Sequence, residues 1–268
     1  MQWVFLRGAD NIRAEVLMTE HSLTAFALPE GVLSSLPSGS VKVVVDELGR
    51  RIADQVYPVG ETIPMESELI PLFGVSRTVV REAIKVLTAK GMLRTARRYG
   101  TRVCAFENWH LLDPDVIRWH GPNSPMSSRI YAESTEMRCI FEPQAAGLAA
   151  INATDEQRQT ILLAARHIRP DDAQPDQMIA ADFAFHATIL DATGNIMLSQ
   201  LQGLILALLQ FSYPTGASAV PDEKVSRRNH IAVAECIMAR DAEGARDKMQ
   251  AMLNQNQIVA EKMVLRRG

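Results

Sequence analysis

Cysteine is scarce in this chain. Its 268 residues hold three, Cys104, Cys139 and Cys236, widely spaced and without a C-x-x-C pair. An odd, scattered set argues against a disulfide framework and fits a reducing cytoplasm. Long apolar runs are also missing. The most apolar stretch, residues 201–211, is broken by Gln202 and Gln210 and is too short to span a bilayer, so it reads as a buried helix and no membrane partner is expected. The chain does not open on the basic, apolar and small-residue pattern of a secretory signal. Nor is there a surplus of positive charge. Lys and Arg number 28 against 31 Asp and Glu, a net charge of -3, which excludes a molecule that is basic throughout.

The positive charge that is present is concentrated. Between residues 77 and 102 lie Arg77, Arg81, Lys85, Lys90, Arg94, Arg97, Arg98 and Arg102, against a single acid, Glu82. A local excess of this kind is an electrostatic footprint for phosphate. The footprint sits on a patterned segment. Val41 to Val56 repeats apolar residues every three or four positions and is stopped by Pro58 and Gly60, which predicts a helix. Glu66 to Phe73 predicts a short helix with Leu69, Leu72 and Phe73 inward. Gly74 permits a sharp turn, and Ser76 is a good N-cap for a second helix over Arg77 to Lys90. Val79, Val80, Ala83, Ile84 and Leu87 form its apolar positions, and Arg77, Thr78, Arg81 and Lys85 its outward ones. Leu93–Thr95 and Thr101–Cys104 read as two short strands joined by the basic turn 96–100. The order is helix, turn, helix, wing. An outward arginine at the start of such a helix can read guanine O6 and N7 in a major groove. The same pattern also describes an ordinary helical hairpin with a solvated face.

The segments YPVGETIP, SRTVVREAIKVL and GTRV, in this order and spacing, resemble the winged helix of the GntR family of bacterial transcription regulators, from about Val44 to Val103. The resemblance implies operator contacts at Arg77, Thr78 and Arg81 on the helix and at Gly100 and Thr101 on the wing, with Lys85, Arg97 and Arg98 adding charge. One departure is Ser67, where members often carry a basic residue.

Residues 1–38 mix isolated apolar residues with breakers and end in LPSGS; a loosely ordered extension is expected, followed by a winged helix-turn-helix over 39–104. Residues 105–125, punctuated by Pro114, Gly121, Pro122 and Pro125, read as a linker in which DPDVIRW can form a short helix docked through Val116, Ile117 and Trp119. From 126 to 264 the pattern is helical throughout, with helices expected at about 126–150, 154–168, 174–193, 195–214, 223–239 and 241–264. The fold expected is mainly α, a winged helix-turn-helix followed by an all-α bundle. LLDPDVIRW, EMRCIFEPQAAGLAA, DFAFHATILDATGN and NHIAVAECIMARDAEGARDKM resemble the linker and the effector-binding (FCD) domain of the FadR subfamily, particularly its sugar-acid-responsive members.

Asp182 and His186 stand four apart, so a helix places both on one face. They can begin a site for Zn, Ni or Mn, or simply hydrogen-bond in a polar cavity. The resemblance implies that these two and His230 bind a divalent metal with a fourth ligand from the last helix. Met252 occupies that fourth position, and a thioether suits such an ion poorly, which leaves a place for water or an effector. Arg138 flanks the apolar stripe of Ile130, Met137, Phe141 and Leu148. It can pair with Glu142 four residues on, or fork onto a carboxylate ligand, as the resemblance implies. The effector set expected is Arg138, Asp182, His186 and His230. No partner for His110, His120 or His167 is legible. The reading that follows is a homodimeric, ligand-responsive regulator and repressor of a palindromic double-stranded operator, released by a small carboxylate such as an aldonate. Two other readings use the same residues. One is a metal-dependent helical hydrolase tethered to nucleic acid, for which no general base or nucleophile motif is found. The other is an architectural DNA-binding dimer without an effector.

Overall fold

The computed structural model describes residues 36–96, 100–121, 124–168, 175–213 and 223–267, together with Phe26 and Ser34. Most of the extension expected over residues 1–38, and both Arg97 and Arg98, lie outside the described residues.

The chain begins with α1 (Ser40–Ala53), α2 (Glu66–Phe73) and α3 (Arg77–Ala89). Helix α1 buries Val44, Val45, Leu48 and Ile52, the positions its periodicity selects. It stops earlier than Val56, because the backbone turns left-handed at Gln55 (φ 59°). Helix α2 starts where the Met65 N–H donates to Glu68 Oε2 at 2.7 Å and ends on Gly74 in the left-handed region (φ 62°). Of its apolar residues Leu69 alone is buried; Leu72, expected inward, is half exposed because α2 touches the core along a single edge. Helix α3 is capped by Ser76, whose Oγ accepts from the Val79 N–H at 3.4 Å. Strands β1 (Leu93–Ala96) and β2 (Gly100–Val103) follow as an antiparallel hairpin, pairing Leu93 with Val103 and Arg94 with Arg102.

The linker carries α4 (Pro114–Trp119), capped by Asp113, and the second half contains α5 (Ser127–Asn152), α6 (Asp155–Arg166), α7 (Pro175–Ala192), α8 (Ile196–Ser199), α9 (Gln202–Ser212), α10 (Glu223–Met238) and α11 (Ala242–Arg267). Helix α5 lies along α11 for much of its length. Its small residues Ala145, Ala146, Gly147, Ala149 and Ala150 are all buried, and a side chain at Gly147 would come within 3.1 Å of the Ala242 carbonyl. The single helix expected over 195–214 is two. Asn195 caps α8 through the N–H groups of Met197 and Leu198, and α8 buries none of its residues. Helix α9 buries Leu204 to Leu209 and needs a different direction, so the chain bends at Gln200–Leu201.

Two apolar clusters organise these helices. One joins Val44, Leu48, Ile52, Leu69, Leu87 and Leu93 of the winged helix to Phe106, Trp109, Val116, Ile117 and Trp119 of the linker, and continues into Ile130 of α5 and Leu204, Leu208 and Phe211 of α9. The linker is therefore part of a core. Gly49 of α1 shows how closely it packs: a Cβ there would fall 2.4 Å from the Trp119 ring. The second cluster fills the bundle with Phe185, Ile189, Leu190, Val233, Met249 and Leu253. Among the described residues no helix is long and apolar enough to cross a membrane.

Candidate DNA-recognition surface and buried polar site

Ser76 starts α3 with its first turn pointing out of the core, and Arg77, Thr78, Arg81 and Lys85 are all exposed on the face the sequence assigned them. Two are engaged. Arg81 Nε lies 2.9 Å from Glu66 Oε2 of α2, and Lys85 Nζ lies 2.8 Å from Glu82. On the hairpin, Gly100 takes φ 77°, and the Thr95 and Thr101 hydroxyls meet at 3.1 Å. Arg94 and Arg102 stand directly opposite each other across the two strands. Facing like charges destabilise a strand pair, and this pair brings two guanidinium groups to the hairpin. It was not singled out from sequence; the alternation of the two strands was the available signal. Lys90, counted in the basic run, is a correction. It is buried and turns inward, with Nζ 2.6 Å from Asp113 and 2.9 Å from Asp115 of the linker, so it adds nothing to the outer surface.

The second site lies inside the bundle. Helix α5 contributes Arg138 and Glu142, α7 contributes Asp182 and His186, Tyr213 follows the end of α9, and α10 contributes His230. The four expected effector residues do converge, and Met252 of α11 lines the same cavity. Arg138 Nε donates to Glu142 Oε1 at 2.5 Å, the i,i+4 pair that sequence allowed. Its Nη2 lies 3.2 Å from His186 Nε2. Behind the imidazole, Nδ1 sits 2.7 Å from Glu142 Oε2. Burial opposes the charge on Glu142, but Arg138 and His186 pull its carboxyl down to about 2. An ionised carboxylate calls for a proton on His186 Nδ1, and a guanidinium, which can only donate, calls for a lone pair on Nε2. His230 is arranged alike: Nδ1 lies 2.8 Å from the Ser226 carbonyl oxygen, which fixes the proton there and leaves Nε2 as an acceptor in the neutral ring.

Both Nε2 atoms face Asp182 Oδ1, at 3.3 and 3.5 Å. Asp182 Oδ2 accepts from the Tyr213 hydroxyl at 2.9 Å, whereas Oδ1 is buried without a hydrogen bond. Burial opposes the Asp182 charge, yet the two imidazoles hold its carboxyl well below the usual carboxylate range. Burial likewise pulls the His186 pKa down, but Glu142 and Asp182 together outweigh it and the net shift is upward. The Nε2 atoms of two imidazoles and a carboxylate oxygen without a hydrogen bond therefore meet at one buried point. Such a point requires a proton or a cation. Asp182, His186 and His230 form a buried group able to hold a metal ion, and the Glu142 carboxylate behind His186 is the outer partner that metal-bound histidines typically have. Neither Glu142 as an orienting group nor Tyr213 was legible in sequence as part of the site. Among the unassigned histidines, His120 is buried, with Nδ1 2.9 Å from Ser124 Oγ and its ring against Phe106 and Trp109.

Comparison with known proteins decides the family. Residues 41–103 match the bacterial regulatory proteins of the gntR family, and residues 133–255 match the FCD domain. A relative in Escherichia coli K12, the HTH-type transcriptional regulator YieP, is 33% identical over 79% of this chain and 91% of its own length. The chain belongs to the GntR family. Within it, the FCD domain places the protein in the FadR subfamily, a family of transcription regulators and not of enzymes, which sets aside the hydrolase reading. The galactonate operon transcriptional repressor of E. coli K12 is 27% identical over 78% of this chain and 92% of that protein. The transcriptional repressor NanR of Cronobacter sakazakii is 28% identical over 80% and 82%. Among solved structures, one of Lar, which controls expression of the Listeria monocytogenes agr system, aligns with a TM-score of 0.61 at 18% identity, covering 86% of this chain and 100% of that one, and supports the fold alone.

Proposed function

We propose that this GntR regulator is a repressor that binds a palindromic operator as a homodimer and is released by a small carboxylate, an aldonate being the leading candidate. The observation that carries the reading is the pairing, in one chain, of an exposed Arg77–Thr78 helix start with a buried Asp182–His186–His230 cluster whose Asp182 Oδ1 has no hydrogen bond. The first suits a major groove, with Arg81, Lys85, Thr101 and the Arg94–Arg102 pair on the flanking backbone, and two copies suit two half-sites. The second suits a divalent ion, with Zn, Ni and Mn all compatible with two imidazoles and one carboxylate. Asp182, His186 and His230 would hold it, and Met252 leaves the remaining positions to water or to the ligand. The names of two relatives, the galactonate operon repressor and the repressor NanR, support repression, and the first names a sugar acid. Action on DNA puts the protein in the cytoplasm.

A bound ion supplies positive charge for a carboxylate. The chain's own charges there do not. Arg138 is offset by Glu142, and the Asp182 carboxylate, held ionised, faces the cavity and repels an acid until an ion covers it. An acid therefore binds when the metal is present, and it shifts the population toward an arrangement of the two heads that no longer matches the half-sites. The test is a footprint on the DNA flanking the protein's own gene, with and without Zn²⁺ and a six-carbon aldonate. Protection relieved by the acid only with metal is expected. Protection that no acid or metal alters excludes effector control.

A further inference from the structure

The buried site is too small for the ligand class proposed for it. The space around Asp182, His186 and His230 is about 50 Å³. That admits an ion and a few waters, whereas ligand clefts run from about 300 Å³ upward. A second cavity of about 310 Å³ lies against it, between α10 and α11. The two share Asn229, Met252 and Gln255 as a common wall, where Asn229 Nδ2 donates to Gln255 Oε1 at 3.0 Å and so links the two helices. The outer cavity is lined by Arg228 of α10 and Lys248 of α11, with no acid among its described lining residues.

We infer that this outer cavity is the seat of the effector's body and of a second anionic group. Resting on the carboxylate reading above, this narrows the ligand to an acid of which one end reaches the Asp182 centre while the other carries a further carboxylate or a phosphate. Arg138 is already charge-paired, with its Nε held by Glu142 and its Nη2 facing His186, and it lines only the inner site. Arg228 and Lys248 flank the mouth from opposite helices, and the Asn229 and Gln255 amides lie between them and the inner site, placed for hydroxyls along the chain of a polyhydroxy acid. A guanidinium and an ammonium facing one cavity also raise the local concentration of anions.

The experiment titrates full-length protein, loaded with Zn²⁺, with three probes: a six-carbon aldonate, the matching aldarate with carboxylates at both ends, and the aldonate 6-phosphate. Each is measured on wild type and on R228Q/K248Q by calorimetry. On wild type, the aldarate or the 6-phosphate is expected to bind about tenfold tighter than the aldonate. In R228Q/K248Q the aldonate loses only the part due to general attraction of anions, the advantage of the doubly anionic probe over it shrinks to about threefold or less, and the protein keeps its melting temperature. Whichever of the two doubly anionic probes shows the larger gain identifies the second group. Equal affinities on wild type, or an advantage that survives in R228Q/K248Q, overturns the inference and leaves the carboxylate reading intact. Failure of all three acids to bind wild type overturns both.

Discussion

Lys90 Nζ, at the end of the recognition helix, lies 2.9 Å from Asp115 Oδ2 of the linker, with the two side chains 7% and 1% exposed. Asp113 Oδ2 is 2.6 Å from the same ammonium, Arg118 bonds the other oxygen of Asp115, and Trp119 Nε1 donates to Asp46 Oδ1 at 2.9 Å. Burial opposes the charge on Asp115, but Lys90 and its neighbours bring its carboxyl below the ordinary range. The helix proposed to face DNA is thus anchored by buried charge to the segment that leads into the second domain. Lys90→Met removes the ammonium that Asp113 and Asp115 share and leaves Asp115 to Arg118, so it should cost about 3 kcal/mol, the low end for a broken buried pair. Chemical denaturation measures the loss. Asp115→Asn in the Lys90→Met background should be milder than in wild type, because the ammonium that its charge offsets is then already gone. Additive effects of the two changes would mean that the pair is not coupled.

His120 makes the same junction sensitive to acid. Burial holds its pKa down to about 4 from the ordinary 6.5. The unfolded chain then takes up a proton that the folded chain refuses between those two values. Its contribution is complete above pH 6.5 and is lost as the pH falls toward 4, up to about 3 kcal/mol in all. Urea unfolding of wild type and His120→Phe at pH 7 and pH 5 should show a smaller drop in the variant. Parallel drops would assign the acid sensitivity elsewhere.

Much of this architecture was written in local pattern. The period of α1, the Gly74 turn and the Ser76 cap fix helix, turn and helix, because each depends on neighbours within a few residues. Asp182 and His186 were legible for the same reason, as an i,i+4 pair on one face. His230 is far along the chain, and no spacing rule connects it to them; its role came through the resemblance. Tyr213 and Glu142 join the site through tertiary packing, which leaves no periodic mark. Lys90 misled for a related reason: in a run of cations, the one that turns inward is picked out only by Asp113 and Asp115, which come later in the chain.

The bare Asp182 Oδ1 predicts metal-linked stability. An ion that binds the folded chain alone raises its stability by mass action, by about 2.7 kcal/mol at a hundred times its dissociation constant. Dialysis against a chelator should therefore lower the melting temperature by several degrees, and Zn²⁺, Ni²⁺ or Mn²⁺ should restore it. Asp182→Asn keeps the shape and a partner for Tyr213 but removes the ligand charge, so its melting temperature should no longer respond. A chelator-sensitive Asp182→Asn protein would place the ion elsewhere.

Arg77 and Arg81 should behave differently on DNA, although both stand on the same face of α3. Arg77 has no ion-pair partner among the described residues, whereas Arg81 is held by Glu66 at 2.9 Å with its side chain 58% exposed. Arg77→Ala should cost about 1–3 kcal/mol per half-site and relax the preference for the base it reads. In a dimer the loss occurs twice, enough to remove protection at the wild-type concentration. Glu66→Gln frees the Arg81 guanidinium without touching the helix, so affinity for any duplex should rise, and the slope of log K against log salt should steepen by about one unit per subunit. The charge removed also repels phosphate, so the gain should vanish at high salt. Unchanged protection by Arg77→Ala would move the readout away from the start of this helix. A Glu66→Gln protein whose salt slope matches wild type would mean that Arg81 already leaves Glu66 for the DNA.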